Sequence, residues 1–433
     1  MSGHAISGWC LAGLLALGGL TGCAPKVKPL SLEELEANKI AYLSSVSTTY
    51  ARIQDEMFAR CELERDRAAA AGRPDDWSFD VLILSGGGAK GAFGAGFLVG
   101  WGEVTDPRFA RPAFDLVTGV STGSLIAPLA FVGDAESYEL ANQIYRNPKT
   151  DWIKERSLLS VLLDQDSLFD DDGLLNEIRT DLGPRISTIA AQTSEHRLLL
   201  VGTTNLNQGN SQAWNMTELA TQVVDGTITE EEFCRTNLSS ASIPLVFPPQ
   251  VIGGNVYVDG STTRDIFYTT AFDAPDGALA KWRAQYPGEP LPKVRIWVIL
   301  NTALVPAPIT PDTEDKSVVA RSLELAILAS LHAQLKVLDL GTQVLRDRMG
   351  CDIEMHFVSL PDGWTQKGKG MFNKDDMDSM SDVGMAMGRD PSSWQTTIAD
   401  PLAPEWVRDE LERSLREQEE RKRGEAPSAS MDR

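Results

Sequence analysis

The chain has 433 residues, 42% of them hydrophobic, enough for one large globular domain with extensions or for two domains. Its 40 Lys and Arg stand against 61 Asp and Glu, a formal net charge of −21. That balance argues against nucleic acid as a partner, since phosphate backbones need clustered cations, and against general adsorption to an anionic membrane face.

The first element is an apolar stretch from about Leu11 to Leu20, ahead of Leu20-Thr21-Gly22-Cys23. It is too short to span a bilayer as a mature helix but suits a signal-peptide core. Leu-Thr-Gly-Cys resembles a bacterial lipobox, in which the signal is removed before a cysteine that is then lipidated. No Lys or Arg precedes the run, which leaves the terminal amine and His4 as sources of positive charge. The plainer alternatives are an ordinary secretory signal or a buried apolar segment. The resemblance implies a signal peptide over 1–22 and a mature chain starting at acylated Cys23. Ala24 follows, with no Asp to signal inner-membrane retention, so the expected location is the bacterial cell envelope, anchored at the outer membrane and facing the periplasm.

Residues 23–78 are expected to form a polar, mostly helical lead-in. Ser31 followed by Glu34 reads as a capping box, and Leu43, Val46, Tyr50, Ile53 and Met57 recur on one helix face, expected to pack on the main domain. From Phe79 the pattern changes to short apolar runs at 80–85, 114–118, 197–204, 293–300 and 353–358, separated by helical stretches. These are expected to be buried strands of a mainly parallel sheet with helices on both faces. The segment 317–347 is apolar around much of its circumference and is expected to be a buried helix. Residues 391–433 are expected to form a charged exposed helix and a disordered tail. There is no internal repeat.

Two motifs carry chemistry. Residues 85–91 read Ser-Gly-Gly-Gly-Ala-Lys-Gly after an apolar run. Gly86, Gly88 and Gly91 fit G-x-G-x-x-G, but Lys90-Gly91 is the wrong order for a Walker loop, and no acidic residue ends a strand about 20 residues on. The second motif is Gly119-Val120-Ser121-Thr122-Gly123, a G-x-S-x-G between an apolar and a helical run, the context of a turn that exposes a serine nucleophile. The two explain each other. A serine attacking an ester creates an oxyanion, and a glycine run opening a helix offers bare N–H groups and a favourable dipole to hold it. Asp259-Gly260, in a run of alternating apolar residues, reads by itself as a hairpin turn.

In this order, "GGGAKG", "GVSTG", "SSASIPLVFPP" and "VDG" closely resemble the patatin-like phospholipases. "SLFDDDGLL", "LLLVGTTNLNQG" and "DVGMAMG" are similar to other segments of that family, and the resemblance covers roughly 79–390. It implies a catalytic domain over those residues, an α/β fold of the three-layer α/β/α kind with a mainly parallel sheet, and hydrolysis of phospholipid or other acyl-ester lipids by a Ser–Asp dyad. On this chain it implies Ser121 as nucleophile and Asp259 as general base. Gly86, Gly87, Gly88, Lys90 and Gly91 fall in its oxyanion loop, and Gly119 and Gly123 in its nucleophile elbow. The motif Asp259-Gly260-Ser261 departs from the family's usual Asp-Gly-Gly or Asp-Gly-Ala.

No cofactor or metal is expected. Cys61, Cys234 and Cys351 lack ligand spacing and allow at most one disulfide, and the acidic runs at 164–173 and 373–382 lack the pattern of a calcium loop. Two other readings remain: a Ser–Asp–His α/β-hydrolase using His332 or His356, and a non-catalytic lipoprotein that binds lipid or a partner. Oligomeric state is not legible. Metabolic labelling with a clickable fatty acid should mark the wild type and not Cys23→Ala; equal labelling of both would remove the anchor.

Overall fold

The computed structural model describes residues 31–149, 172–244, 246–267, 276–306, 308, 315–368, 370, 372–398, 411–413 and 416, with strand backbones at 154–155 and 169–170. The expected signal peptide, Cys23 and most of the charged C-terminal segment lie outside them. The protein is built on an eight-stranded sheet in the order β10-β9-β1-β2-β5-β8-β7, with β6 also paired to β5. β1 (Phe79–Leu84), β2 (Leu116–Val120), β5 (Leu198–Asn205), β9 (Val294–Leu300) and β10 (Ile353–Ser359) run parallel. These are the five expected strands. β6 (Asn210–Asn215), β7 (Gln250–Ile252) and β8 (Asn255–Asp259) are antiparallel additions. β3 (Lys154–Glu155) and β4 (Phe169–Asp170) form a separate small ladder.

Alternation along β1 sends side chains into two cores: Leu82 and Leu84 to one face, Val81 and Ile83 to the other. The first face is covered by α2 (Gly91–Trp101), α3 (Thr122–Val132), α4 (Ala135–Arg146) and the helix Lys374–Gly388. The second is covered by α1 (Leu32–Ala70), the helix Ala278–Gln285 and the helix Asp315–Met349. This is the three-layer α/β/α arrangement. Among the described residues no helix is long and apolar enough to cross a membrane.

Two helical expectations need correction. Ser31 and Glu34 do form the capping box of α1, and Ile53 and Met57 are buried, but Leu43 is 52% exposed and Val46 is also exposed. At this level α1 meets the sheet through Tyr42, whose hydroxyl donates to Ser211 O in β6 at 3.0 Å, and Leu43 and Val46 stay exposed. The helix Asp315–Met349 is not buried all round. It presents Leu328, Leu331, Leu335, Leu338 and Leu345 to the core and leaves Leu323, Leu325, Val337 and Leu340 exposed, because it lies on the outside of its layer. Cys61, Cys234 and Cys351 are buried free thiols. The run at 373–382 is a helix start, with the Asn373 side chain accepting from Asp376 N–H; of the run at 164–173, residues 164–168 and 171 fall outside the described residues, and Asp172 opens a helix.

Glycines fix how α2 sits, and α2 carries the glycine loop at its head. A Cβ on Gly96 or Gly100 would collide with the backbone of Ser381 or Met385, and one on Gly384 or Gly388 with the backbone of Phe93 or Phe97. The two helices therefore touch backbone to backbone. Gly384→Ala should destabilise the protein by roughly 1–3 kcal/mol, since neither backbone can yield cheaply. Gly341→Ala, in a helix with open space around it, should be neutral or stabilising by about 0.5–1 kcal/mol. Thermal melts of the two variants check the contrast.

Candidate active site

In a parallel sheet the carboxyl ends of the strands share one edge, and the segments that leave them meet there. β1 leads into Ser85–Gly88, β2 into Ser121, and β9 into Asn301. β8 reaches the same place by another route. Along one edge of β5, β2 pairs up to Val120 opposite Gly202, and the next position, Thr203, is paired with Asp259, the last residue of β8. β6 occupies the other edge of β5 across both positions. Parallel β2 and antiparallel β8 thus run head-on along one strand edge, and the residues at their tips, Ser121 and Asp259, are brought together.

Ser121 is the cap of α3 and has φ 53° and ψ −127°. A positive φ in a non-glycine residue costs on the order of 1–3 kcal/mol and persists only when the surroundings enforce it. Ser121 N–H donates to Ser240 Oγ at 3.0 Å, and Ser121 O accepts from Ser124 Oγ at 2.6 Å. Gly119 and Gly123 allow the crossing: a Cβ on Gly119 would strike the Gly123 carbonyl, and one on Gly123 the Leu84 carbonyl. The segment 239–242 clamps both tips. Ser240 Oγ donates to Gly202 O at 2.6 Å, Gly260 N–H to Ser240 O at 3.4 Å, and Asp259 N–H to Ser242 O at 2.9 Å. Gly260 is required at its position because a Cβ there would collide with the Gly202 carbonyl.

Asp259–Gly260 is not a hairpin turn, contrary to that isolated reading. The tight turn is Gly253-Gly254, both with positive φ, and Asp259 ends β8 before a short 3₁₀ turn over Gly260–Thr262. Asp259 is buried; its Oδ1 accepts from Ser261 N–H at 2.8 Å. Oδ2 has no hydrogen-bond partner, although the Ser121 side chain is near enough to stabilise the carboxylate. Burial pushes its pKa up to about 7, with the negative Asp265 adding to the rise and Ser121 and Ser261 opposing it. A carboxylate so placed can take a proton from a neighbouring hydroxyl near neutral pH.

The glycine loop adds donors. Gly87 (φ 154°) and Gly88 (φ 58°) are both in the left-handed half of backbone space. Among the described residues their N–H groups have no recorded acceptor. The loop is held from behind by Asn301, whose N–H donates to Ser85 Oγ at 2.9 Å and whose Nδ2 donates to Ser85 O at 2.8 Å. Gly91 opens α2 against Thr122, where a Cβ would not fit. Lys90 is on the loop, but its Nζ lies 3.5 Å from Glu324 and does not line the cavity beside Ser121. That cavity runs from Gly88, Ser121 and Thr122 along Leu125, Leu129, Ile178 and Phe247. Glu177 and Asp181 interrupt its apolar wall. Burial, with help from Glu177, pushes Asp181 up to about 6.

Residues 82–272 match the sequence model of the patatin-like phospholipase family, and the match takes in the glycine loop, Ser121 and Asp259. Over those residues the chain is similar to a patatin-like phospholipase domain. The family is one of lipid hydrolases, and the three-layer fold agrees with it. The structure is similar to that of VipD from Legionella pneumophila, at 12% identity and a TM-score of 0.32 over 74% of this chain and 68% of that one. It is similar also to the type III effector protein ExoU, at 14% identity and a TM-score of 0.28, covering 72% of this chain and about half (52%) of ExoU. No curated protein matches the chain.

Of the histidines, His196 and His356 lie away from Ser121. His196 is at the amino end of β5 and meets Glu56 at 2.7 Å. His356 sits on the edge strand β10, stacked on Trp297 with 4.7 Å between centroids, and burial lowers its pKa. His332 lies within the helix Asp315–Met349. Asn301 and Asp265 also contact the site although no sequence motif marked them, and Ser240 falls within "SSASIPLVFPP", which marked the segment but not the residue.

The raised Asp259 has a consequence for stability. Its folded pKa of about 7 lies above the ordinary value near 3.9 of the unfolded chain. The native state therefore binds more protons, and the protein loses stability as pH rises from about 4 through about 7. Asp259→Asn should remove that loss, melting higher than wild type at pH 8 by an amount worth at most about 4 kcal/mol. The gain should vanish near pH 4. Equal melting temperatures at pH 8 would show that Asp259 is not raised.

Proposed function

We propose that this protein is a lipid acyl hydrolase of the phospholipase A or esterase type, a serine carboxylic-ester hydrolase working through a Ser121–Asp259 dyad. The observation that carries the reading is the head-on meeting of β2 and β8, which sets a strained serine against a buried carboxylate with one unpaired oxygen. Asp259 takes the Ser121 hydroxyl proton as Oγ attacks the ester carbonyl carbon. The N–H groups of Gly87 and Gly88 receive the oxyanion, each such donor being worth about 3–4 kcal/mol in the transition state. Collapse breaks the ester C–O bond, and the leaving alkoxide takes the proton back from Asp259. Water, deprotonated by Asp259, then attacks the acyl carbon; the Ser121 Oγ–C bond breaks, Oγ takes the proton back from Asp259, and the acid leaves. The largely apolar lining of the cavity, with Leu125, Leu129, Leu174, Ile178 and Phe247 beside Ser121, suits an acyl chain.

The dyad needs no histidine and no Lewis acid. The lipobox sequence alone supports a further part of the reading, attachment to an envelope membrane through Cys23, which would hold the enzyme at its substrate.

Hydrolysis of a chromogenic acyl ester by purified variants tests the dyad. Ser121→Ala and Asp259→Asn should each lower turnover by about a thousandfold or more, because they act as one unit. His196→Ala and His356→Ala should stay within about tenfold of wild type, and EDTA should have no effect. The rate should rise with pH through about 7, as the base becomes deprotonated. A folded but dead His356→Ala beside an active Asp259→Asn would replace the dyad with a triad.

A further inference from the structure

Asp265 is a second buried carboxylate at this site, 2% exposed, six residues past Asp259. We propose that Asp265 is the positioning residue of the glycine loop, fixing Gly86 against the Asp259 turn so that the donors of Gly87 and Gly88 face Ser121. This rests on the function proposed above and deepens it.

The contacts carry it. Asp265 Oδ1 accepts the Gly86 N–H at 3.1 Å and the Ser261 hydroxyl. Gly86 is wedged: a Cβ there would collide with Asp265 Oδ1 and Ser261 Oγ on one side and lie 3.1 Å from Ser121 Cβ on the other. One backbone residue thus separates the Asp265 carboxylate from the serine. Asp265 is itself held, since its own N–H and that of Ile266 donate to Gln334 Oε1 at 3.0 and 2.9 Å. Gln334 Nε2 donates in turn to Ser330 Oγ at 2.8 Å. The loop, the Asp259 turn and the helix Asp315–Met349 therefore meet at one carboxylate. A charged acceptor makes roughly twice as strong a hydrogen bond as a neutral one, which suits a loop whose other N–H groups must stay free. Ser261, the departure from the family's usual glycine or alanine, supplies the second hydrogen bond to that carboxylate.

Asp265 also acts on the base. Burial raises its own pKa, while Ser261 and Gly86 hold it down, and its negative charge raises that of Asp259. The groups that face it are Asp259 from the turn, the neutral Gln334 and Ser330 from the helix, and the Gly86 backbone from the loop. The Lys90 ammonium is turned to Glu324, and the Arg264 guanidinium lies 6.0 Å from the Phe267 ring centre. Losing the charge while keeping the acceptor should therefore move the acid limb of the rate profile and spare the loop. Losing both should loosen the loop.

The experiment compares wild type, Asp265→Asn and Asp265→Ala by ester hydrolysis from pH 5 to 9 and by hydrogen exchange of the peptide 83–90. Asp265→Asn should keep kcat within about tenfold, keep exchange at the wild-type level, and shift the acid limb of kcat/KM down by about half a pH unit or more. Asp265→Ala should lose about a hundredfold or more in kcat with KM within about threefold, and its peptide 83–90 should exchange faster. Should Asp265→Ala fail to fold, Ser261→Ala takes its place as the probe, with a smaller kcat loss and an upward shift of the acid limb. Wild-type exchange and kcat in Asp265→Ala, or an unmoved acid limb in Asp265→Asn, would overturn the proposal. A wild type that hydrolyses no ester, with exchange changing as expected, would instead overturn the function and leave the positioning role standing.

Discussion

Along one edge of β5 the parallel partner β2 ends opposite Gly202 and the antiparallel partner β8 ends opposite Thr203, and the site depends on that junction. Strand register is discrete, so the junction fixes the separation of Ser121 and Asp259 more firmly than any flexible loop could. The clamp at 239–242 is secondary to it, tying Ser121, Gly202, Asp259 and Gly260 by hydrogen bonds at the place where the ladder changes direction. The glycine loop is tertiary again, carried by α2, which is seated by backbone contact on the helix Lys374–Gly388.

The site is held under two kinds of tension. Ser121 occupies a backbone conformation that a non-glycine residue avoids, and Asp259 and Asp265 are buried without a cation among the groups that set their proton affinity. An isolated buried carboxylate normally neutralises itself, and two close ones cannot both ionise cheaply. Here two hydrogen bonds hold the proton affinity of Asp265 down against burial, and its charge helps to raise Asp259, which keeps an open oxygen. A weakly solvated base of that kind costs stability in the resting protein and lowers the barrier for proton removal. Stability and proposed activity therefore pull against each other at one residue.

The sequence made the five parallel strands legible because each is apolar on both faces, and it made Ser121 legible because strand, serine and two glycines stand in fixed order. Asp259 was different. Taken alone it looked like a hairpin turn, and the resemblance to a family, not the spacing, singled it out. Asn301 and Asp265 carried no signal and Ser240 only that of its segment, since each acts on backbone groups more than a hundred residues away, brought close by sheet pairing. Lys90 shows the reverse: its place in the loop was legible, but its long side chain follows a charge on another helix. The exposed leucines of the helix Asp315–Met349 had the composition of a buried helix, and composition does not report how many faces a neighbouring layer covers.

The central claim is that Ser121 is a nucleophile activated by Asp259. The most direct measurement is the rate and site of fluorophosphonate modification, followed by intact mass and peptide mapping across pH. The account predicts a single adduct on Ser121, forming faster as pH rises through about 7 and barely forming in Asp259→Asn. An adduct on another residue, or equal modification of wild type and Asp259→Asn, would contradict it.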